Sequence, residues 1–254
     1  MIKRLYKYRE CNESSISNLD NGTCWFSPVK FMNDPFEAHL CTSHVKLMLS
    51  AARLNVERHK ISFDVALDAV VRAESDGAMD VMSLLEELKE DVRNTFSAFC
   101  LSSRWDSPVM WGHYASNYKG FCIGFEFDDA LNWHGPQAFQ FPNNTFIGRV
   151  NYINSAIDYL DGAGNIIMAN LVDVLISKHK DWQYEDEYRF AIKSNPGQGE
   201  VKKIPNSALK EVIVGNKIDP TCLEKIRIIA ARSGIPVYRV IHSTSEYKII
   251  KVAV

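Results

Sequence analysis

The chain has 254 residues, 46% of them hydrophobic and 24% charged, with a formal net charge of −2. That balance is ordinary for a globular protein able to bury a core without disulfide or metal staples. It excludes a globally basic nucleic-acid binder, and no apolar run approaches the length of a membrane span.

The six cysteines form no CxxC pair, and several lie in apolar, strand-like contexts such as AFCLS and GFCIGF. Their pattern predicts buried, reduced thiols in a cytoplasmic protein rather than a disulfide framework. The opening MIKRLYKYRE has no apolar stretch after its basic residues, so it does not read as a signal peptide.

In chain order, IKRLYKYR reads as a short strand and NESSISNLDNG as a helix with Asn12 at its N-cap and Gly22 at its end. TCWFS is a second strand. PVKFMNDPFE is an irregular connection in which Asn33-Asp34-Pro35 makes a turn, because Asx side chains bond the local backbone and proline presets the bend. From about 42 to 95 the apolar spacing becomes helical, in SHVKLMLSAARL, SFDVALDAVVRAE and AMDVMSLLEELKEDVRNTF. These predict two or three helices, an insertion or cap within a single domain covering 1–254.

SAFCLSS reads as a buried strand and SPVMWGHYASNY as a short helix with Ser107 as N-cap and Pro108 at its first position. KGFCIGFEFD is a strand, and residues 135–152 read as loop followed by the strand TFIGRVNY. IIMANLVDVLISKH predicts an amphipathic helix and YEDEYRFAIK a strand. ALKEVIVG, the helix PTCLEKIRIIAARSG closed by Gly234, and the strands IPVYRVIH and YKIIKVAV complete the chain. Many strands with segregated helices predict an α+β fold with mixed or antiparallel sheets.

Three patterns carry candidate chemistry. In WQYEDEYRF, strand alternation puts Glu185, Glu187 and Arg189 on one face and Tyr184, Asp186, Tyr188 and Phe190 on the other. The plain alternative is a solvated face with one weak Glu–Arg pair. The block RWDSPVMWGHYASNYKGFCIGF crowds Trp105, Trp111, His113, Tyr114 and Tyr118 around a helix, with Ser102 and Ser103 at the preceding strand end. It is either core or a slot whose ring faces hold a heterocycle. Lys7 and Arg9 share a face of the first strand, either to hold phosphate or to blunt a sheet edge.

Together LYKYR, WFSPVKFMNDPFE, FCLSSRWDSPVMWGHYASNYKGFCIGFEF and WQYEDEYRF resemble a widespread bacterial family known as a domain of unknown function (DUF2971 type). The order of parts is also similar to the ADP-ribosyltransferase fold: a basic first strand, a central strand and helix carrying an aromatic, and a late strand opening Glu-x-Glu. That similarity implies an ADP-ribosyltransferase-like arrangement. In it Glu187 is the catalytic glutamate, Glu185 its neighbour, Tyr114 the central aromatic, Ser102 the strand-end serine and Lys7 or Arg9 the first-strand cation. Trp111 and His113 join these as cofactor-binding candidates. The first strand departs from the usual His or Arg followed by small residues.

The resemblance implies NAD as substrate, no metal, no membrane, and an acceptor that is protein or nucleic acid, in a role such as bacterial conflict or antiphage defence. Cleaving the nicotinamide–ribose bond passes through an oxocarbenium-like state that a carboxylate stabilises, as in glycoside cleavage. The leaving group is already cationic, so no general acid is needed. Two other readings stand beside this one. One is a silent module binding a nucleotide-like ligand or a partner. The other is a nuclease holding magnesium on Asp34, Glu37, Glu185 and Glu187. His39, His44, His113 and His179 show no metal-ligand spacing, and GAGN at 162–165 lacks the context of a phosphate loop.

Overall fold

The computed structural model describes residues 4–126, 146–204 and 206–254. The loop expected from residue 135 lies outside them up to residue 145.

The chain runs β1 (Leu5–Arg9), α1 (Glu13–Asn21), β2 (Thr23–Pro28), β3 (Leu40–Cys41), α2 (His44–His59), α3 (Phe63–Ser75), α4 (Val81–Thr95) and β4 (Phe96–Ser102). It continues through α5 (Pro108–Tyr114), β5 (Phe121–Phe125), β6 (Phe146–Arg149), β7 (Asn151–Ile153), β8 (Ile157–Asp158), α6 (Met168–Leu175) and β9 (Ser177–His179). The last elements are β10 (Glu187–Lys193), β11 (Glu200–Lys203), β12 (Leu209–Val214), α7 (Pro220–Ser233), β13 (Val237–His242) and β14 (Ile249–Ala253). The architecture is α+β around a mixed ten-stranded sheet.

Local sequence sets most of the helix ends. Asn12, Ser43, Ser62, Asp80, Ser107 and Asp219 each accept a backbone N–H at a helix start, and Gly22 and Gly234 close helices in the left-handed conformation. Two expectations about element type are corrected. The helix in IIMANLVDVLISKH stops at Leu175, and Ser177–His179 instead pairs in parallel with β7. In YEDEYRF the strand begins only at Glu187. Lys180–Glu185 is a 3-10 helix, and Asp186 takes a left-handed φ of 42° before the chain extends.

Sheet order is β11-β2-β4-β1-β5-β12-β13-β14, with β10 on β4 and β6 on β10. β4 pairs with β10 along its full length, from Glu187 opposite Ser102 to Lys193 opposite Phe96. Its other edge is therefore shared: β1 takes one end, at Ser102, and β2 the other, at Ala98 and Ser97. The sheet splits between them.

One face of the sheet packs Phe26, Phe99, Leu101, Phe190 and Ile192 with Leu19 of α1 and Ile226 and Ile229 of α7. A second core joins α2, α3 and α4 to Leu40, Leu160, Val174 and Leu175, and a third gathers Tyr6, Tyr8, Met110 and Trp111 around α5.

The cysteine expectation is also corrected. Cys11 and Cys222 form a disulfide, with Cα atoms 6.5 Å apart, while Cys24, Cys41, Cys100 and Cys122 are free. Packing of the α1 entry against α7 brings together residues 211 apart, which spacing in the chain cannot reveal.

Gly120 closes the turn after α5 where a Cβ would meet the Arg9 carbonyl oxygen at 2.1 Å. Gly120→Ala should therefore cost about 1–3 kcal/mol through forced backbone shifts. A lower urea midpoint is the expected reading, and an unchanged midpoint would show that β1 moves aside freely.

Candidate functional site

Where β1 and β2 part from the edge of β4, a cleft of about 250 Å³ opens. Ala98, Cys100 and Ser102 of β4 and Glu187 and Arg189 of β10 line it, with Trp25 and Ser27 of β2 on the same sheet face. Lys7 and Arg9 enter through the split itself. The Lys7 ammonium lies 5.2 Å from the Phe99 ring centroid and donates to the Cys100 carbonyl at 2.7 Å, a carbonyl at the gap between the strands. Neither Lys7 nor Arg9 forms an ion pair among the described residues.

The floor is a buried run of alternating charge. Arg189, 1% exposed, holds both oxygens of Glu37, both oxygens of Glu187 and the Leu175 carbonyl at 2.6 Å. Lys178 of β9 sits between the next two acids, 2.5 Å from Glu185 and 3.4 Å from Glu187, with its ammonium 4.7 Å from the Trp182 ring centroid. Tyr114 of α5 donates to Glu185, and Asn33 donates to the Tyr114 hydroxyl at 2.7 Å. The left-handed Asp186 is held from outside by Ser103 and by Arg149 at 2.6 Å. That anchoring turns the chain so that Glu185 and Glu187 stay on one side although no strand joins them.

The two glutamates end in different electrostatic states. Burial opposes ionisation of Glu187, but Arg189 and Lys178 overcome it and hold the carboxyl down at about 2. Burial pushes Glu185 up, and the charge of Glu187 adds to it, against the pull of Lys178 and Tyr114. Neighbouring carboxyls pushed apart in this way are suited to different roles, one a fixed negative charge and the other a proton acceptor. Burial, with Arg9 beside it, lowers Lys7 to about 8. Burial also lowers Arg9.

The structure thus brings Lys7, Arg9, Ser102, Tyr114, Glu185 and Glu187 to one cleft. Ser102 is engaged there in holding the backbone: its hydroxyl donates to the Glu185 carbonyl at 2.6 Å and accepts from the Arg104 N–H. Trp111 and His113 lie apart. Trp111 is 0% exposed, stacked on Tyr118 and bonded to the Trp105 carbonyl, so it is core. The His113 ring is exposed and meets the Tyr184 hydroxyl.

Glu185, Glu187 and Arg189 are all buried, which overturns the solvated-face alternative. For the magnesium reading, Arg189 and Lys178 stand between Glu37, Glu187 and Glu185, occupying the positions a divalent ion would need. Asp34 instead braces its own turn, accepting the Phe36 N–H at 2.9 Å. No group of three metal-ligating side chains occurs among the described residues.

Among the lining residues that the sequence reading did not place in a site are Trp25, Phe31, Asn33 and Lys178. Lys178 falls in the stretch expected to be helix, so its approach to the glutamates was not visible. A second cavity of about 220 Å³ opens on the far side of Lys178, between Phe36, His39 and His179, and has no carboxylate in its lining.

Arg189→Met leaves Glu37 buried without a counter-charge and Glu187 with Lys178 alone, and should cost about 3–5 kcal/mol in urea unfolding; Glu37→Gln added to it should recover part of the loss. Pyrophosphate binding should weaken as pH rises through about 8, because Lys7 gives up its proton there. Calorimetry on either side of that pH should show the dependence in the wild type and not in Lys7→Met.

Among the described residues, no helix is long and apolar enough to cross a membrane. Searches of curated proteins and of solved structures each give no significant match. The stretch that supplies Tyr114, Lys178, Glu185, Glu187 and Arg189 does have a counterpart, in keeping with the family resemblance read from the motifs: residues 110–190 match the family described as protein of unknown function (DUF2971).

Proposed function

We propose that the cleft binds NAD and cleaves its nicotinamide–ribose bond, passing ADP-ribose to water or to an acceptor. The observation that carries this reading is one cleft holding two cations without carboxylate partners, an ionised Glu187 and a Glu185 pushed towards protonation. Lys7 and Arg9 complement a pyrophosphate, Arg9 by bidentate hydrogen bonding and Lys7 as a point charge.

In the step itself the C–N bond breaks, its electron pair stays with nicotinamide, and positive charge develops on the ribose. Glu187 opposes that charge from a water-poor floor, where a fixed carboxylate acts strongly. Attack by water or an acceptor hydroxyl releases a proton, which Glu185 accepts. Tyr114 and Lys178 fix the orientation of that carboxylate. Order of parts along the chain supports an ADP-ribosyltransferase-like arrangement, and a role in bacterial defence goes with it as part of the proposal.

A second reading, a nucleotide-binding module without turnover, is favoured by one fact: both glutamates are already ion-paired. Nicotinamide release from NAD separates the two. Glu187→Gln should lower the rate by about 100-fold or more while keeping NAD-induced thermal stabilisation. Stabilisation without release would select the binding module. Neither release nor stabilisation would overturn both.

A further inference from the structure

We infer that Trp25 and Phe31 form a stacking subsite for the base of a nucleotide whose phosphate rests on Lys7 and Arg9. The inference rests on the nucleotide reading of the cleft and is independent of any cleavage at nicotinamide.

Alternation along β2 buries Cys24 and Phe26 and turns Trp25 away from the core. Its indole lines the cleft and is 38% exposed; Phe31, in the turn that follows β2, also lines it and is 68% exposed. Two large rings left in water at the rim of a cleft are more informative than scattered surface apolar residues, because their burial awaits a ligand.

The Trp25 ring is held in place. A Cβ at Gly199 would lie 2.1 Å from Cζ2 and 2.4 Å from Cη2 of Trp25, so the indole rests against bare backbone at a position that admits no side chain. The Lys30 ammonium lies 5.0 Å from the Phe31 ring centroid. An indole restrained before a ligand arrives loses less freedom on stacking.

The register places charge beside the rings. β1 and β2 leave the same edge of β4, so Arg9 near the end of one and Trp25 near the start of the other border the same gap. A planar group attached to an anion fits this pairing of ring faces with unpaired cations, and a nucleotide is the common ligand with that chemistry. Every base has a π-face, so the subsite accepts the class and leaves selectivity to edge contacts.

The test compares AMP with ribose 5-phosphate, which keeps sugar and phosphate but lacks the base, by titration calorimetry on the full chain. AMP should bind about tenfold or more tightly than ribose 5-phosphate. Trp25→Ala and, separately, Phe31→Ala should bring AMP towards the affinity of ribose 5-phosphate while leaving the latter unchanged. Phe31 is exposed enough that its loss should not disturb folding. Equal affinity of the two ligands for the wild type, equal weakening of both in the variants, or binding of neither would overturn the subsite. AMP contains no nicotinamide, so a protein that discriminates AMP in this way yet releases none from NAD would refute the cleavage reading and leave the subsite standing.

Discussion

The arrangement of this protein depends on a buried line of five charged side chains, Glu37, Arg189, Glu187, Lys178 and Glu185, in which each sign neighbours its opposite. Removing so many charges from water costs several kcal/mol per ion and is tolerated only where every partner is present. The line draws on the turn after β2, β9, the 3-10 helix and β10, and Arg189 adds a hydrogen bond to the end of α6. Elements distant in the chain are thereby held in one relative position, and loss of a member leaves its neighbours buried with fewer counter-charges. A packed apolar seam would hold them as firmly, but it would leave no field in the cleft.

Above that line the balance of charge is different. Lys7 and Arg9 enter the split of the sheet without carboxylates of their own, and one of them satisfies the Cys100 carbonyl there. The floor thus sets three carboxylates against two cations, whereas the wall carries cations alone. On the proposed reading, such a site would need little reorganisation for a phosphate, because both cations already line the cleft. The inferred aromatic rim beside it would extend the same logic to an uncharged, planar part of a ligand.

Much of this was legible from local sequence. Caps at Asn12 and Ser107, the strand alternation of the core, and the turn at Asn33-Asp34-Pro35 depend on chemistry within a few residues. The attention drawn by Lys7, Arg9, Tyr114, Glu185 and Glu187 arose from charge and rings placed where plain core or plain surface would not need them. What stayed hidden has physical causes too. Trp111 is indistinguishable in sequence from a ligand-facing aromatic, since both sit on an apolar helix face. Lys178 lay in an apolar run of helical period that tertiary pairing with β7 converts into a strand.

By itself, then, the sequence determined the α+β class, the capped ends of several helices, and the residue types available for chemistry, because each follows from short-range sterics and hydrogen bonding. Tertiary structure alone decided that β4 is shared by two diverging strands, that Cys11 meets Cys222, and that Glu185 and Glu187 acquire different proton affinities. The reason is physical. Pairing register, burial and the field of neighbouring charges depend on which distant segments pack together, and no window of the chain contains that information.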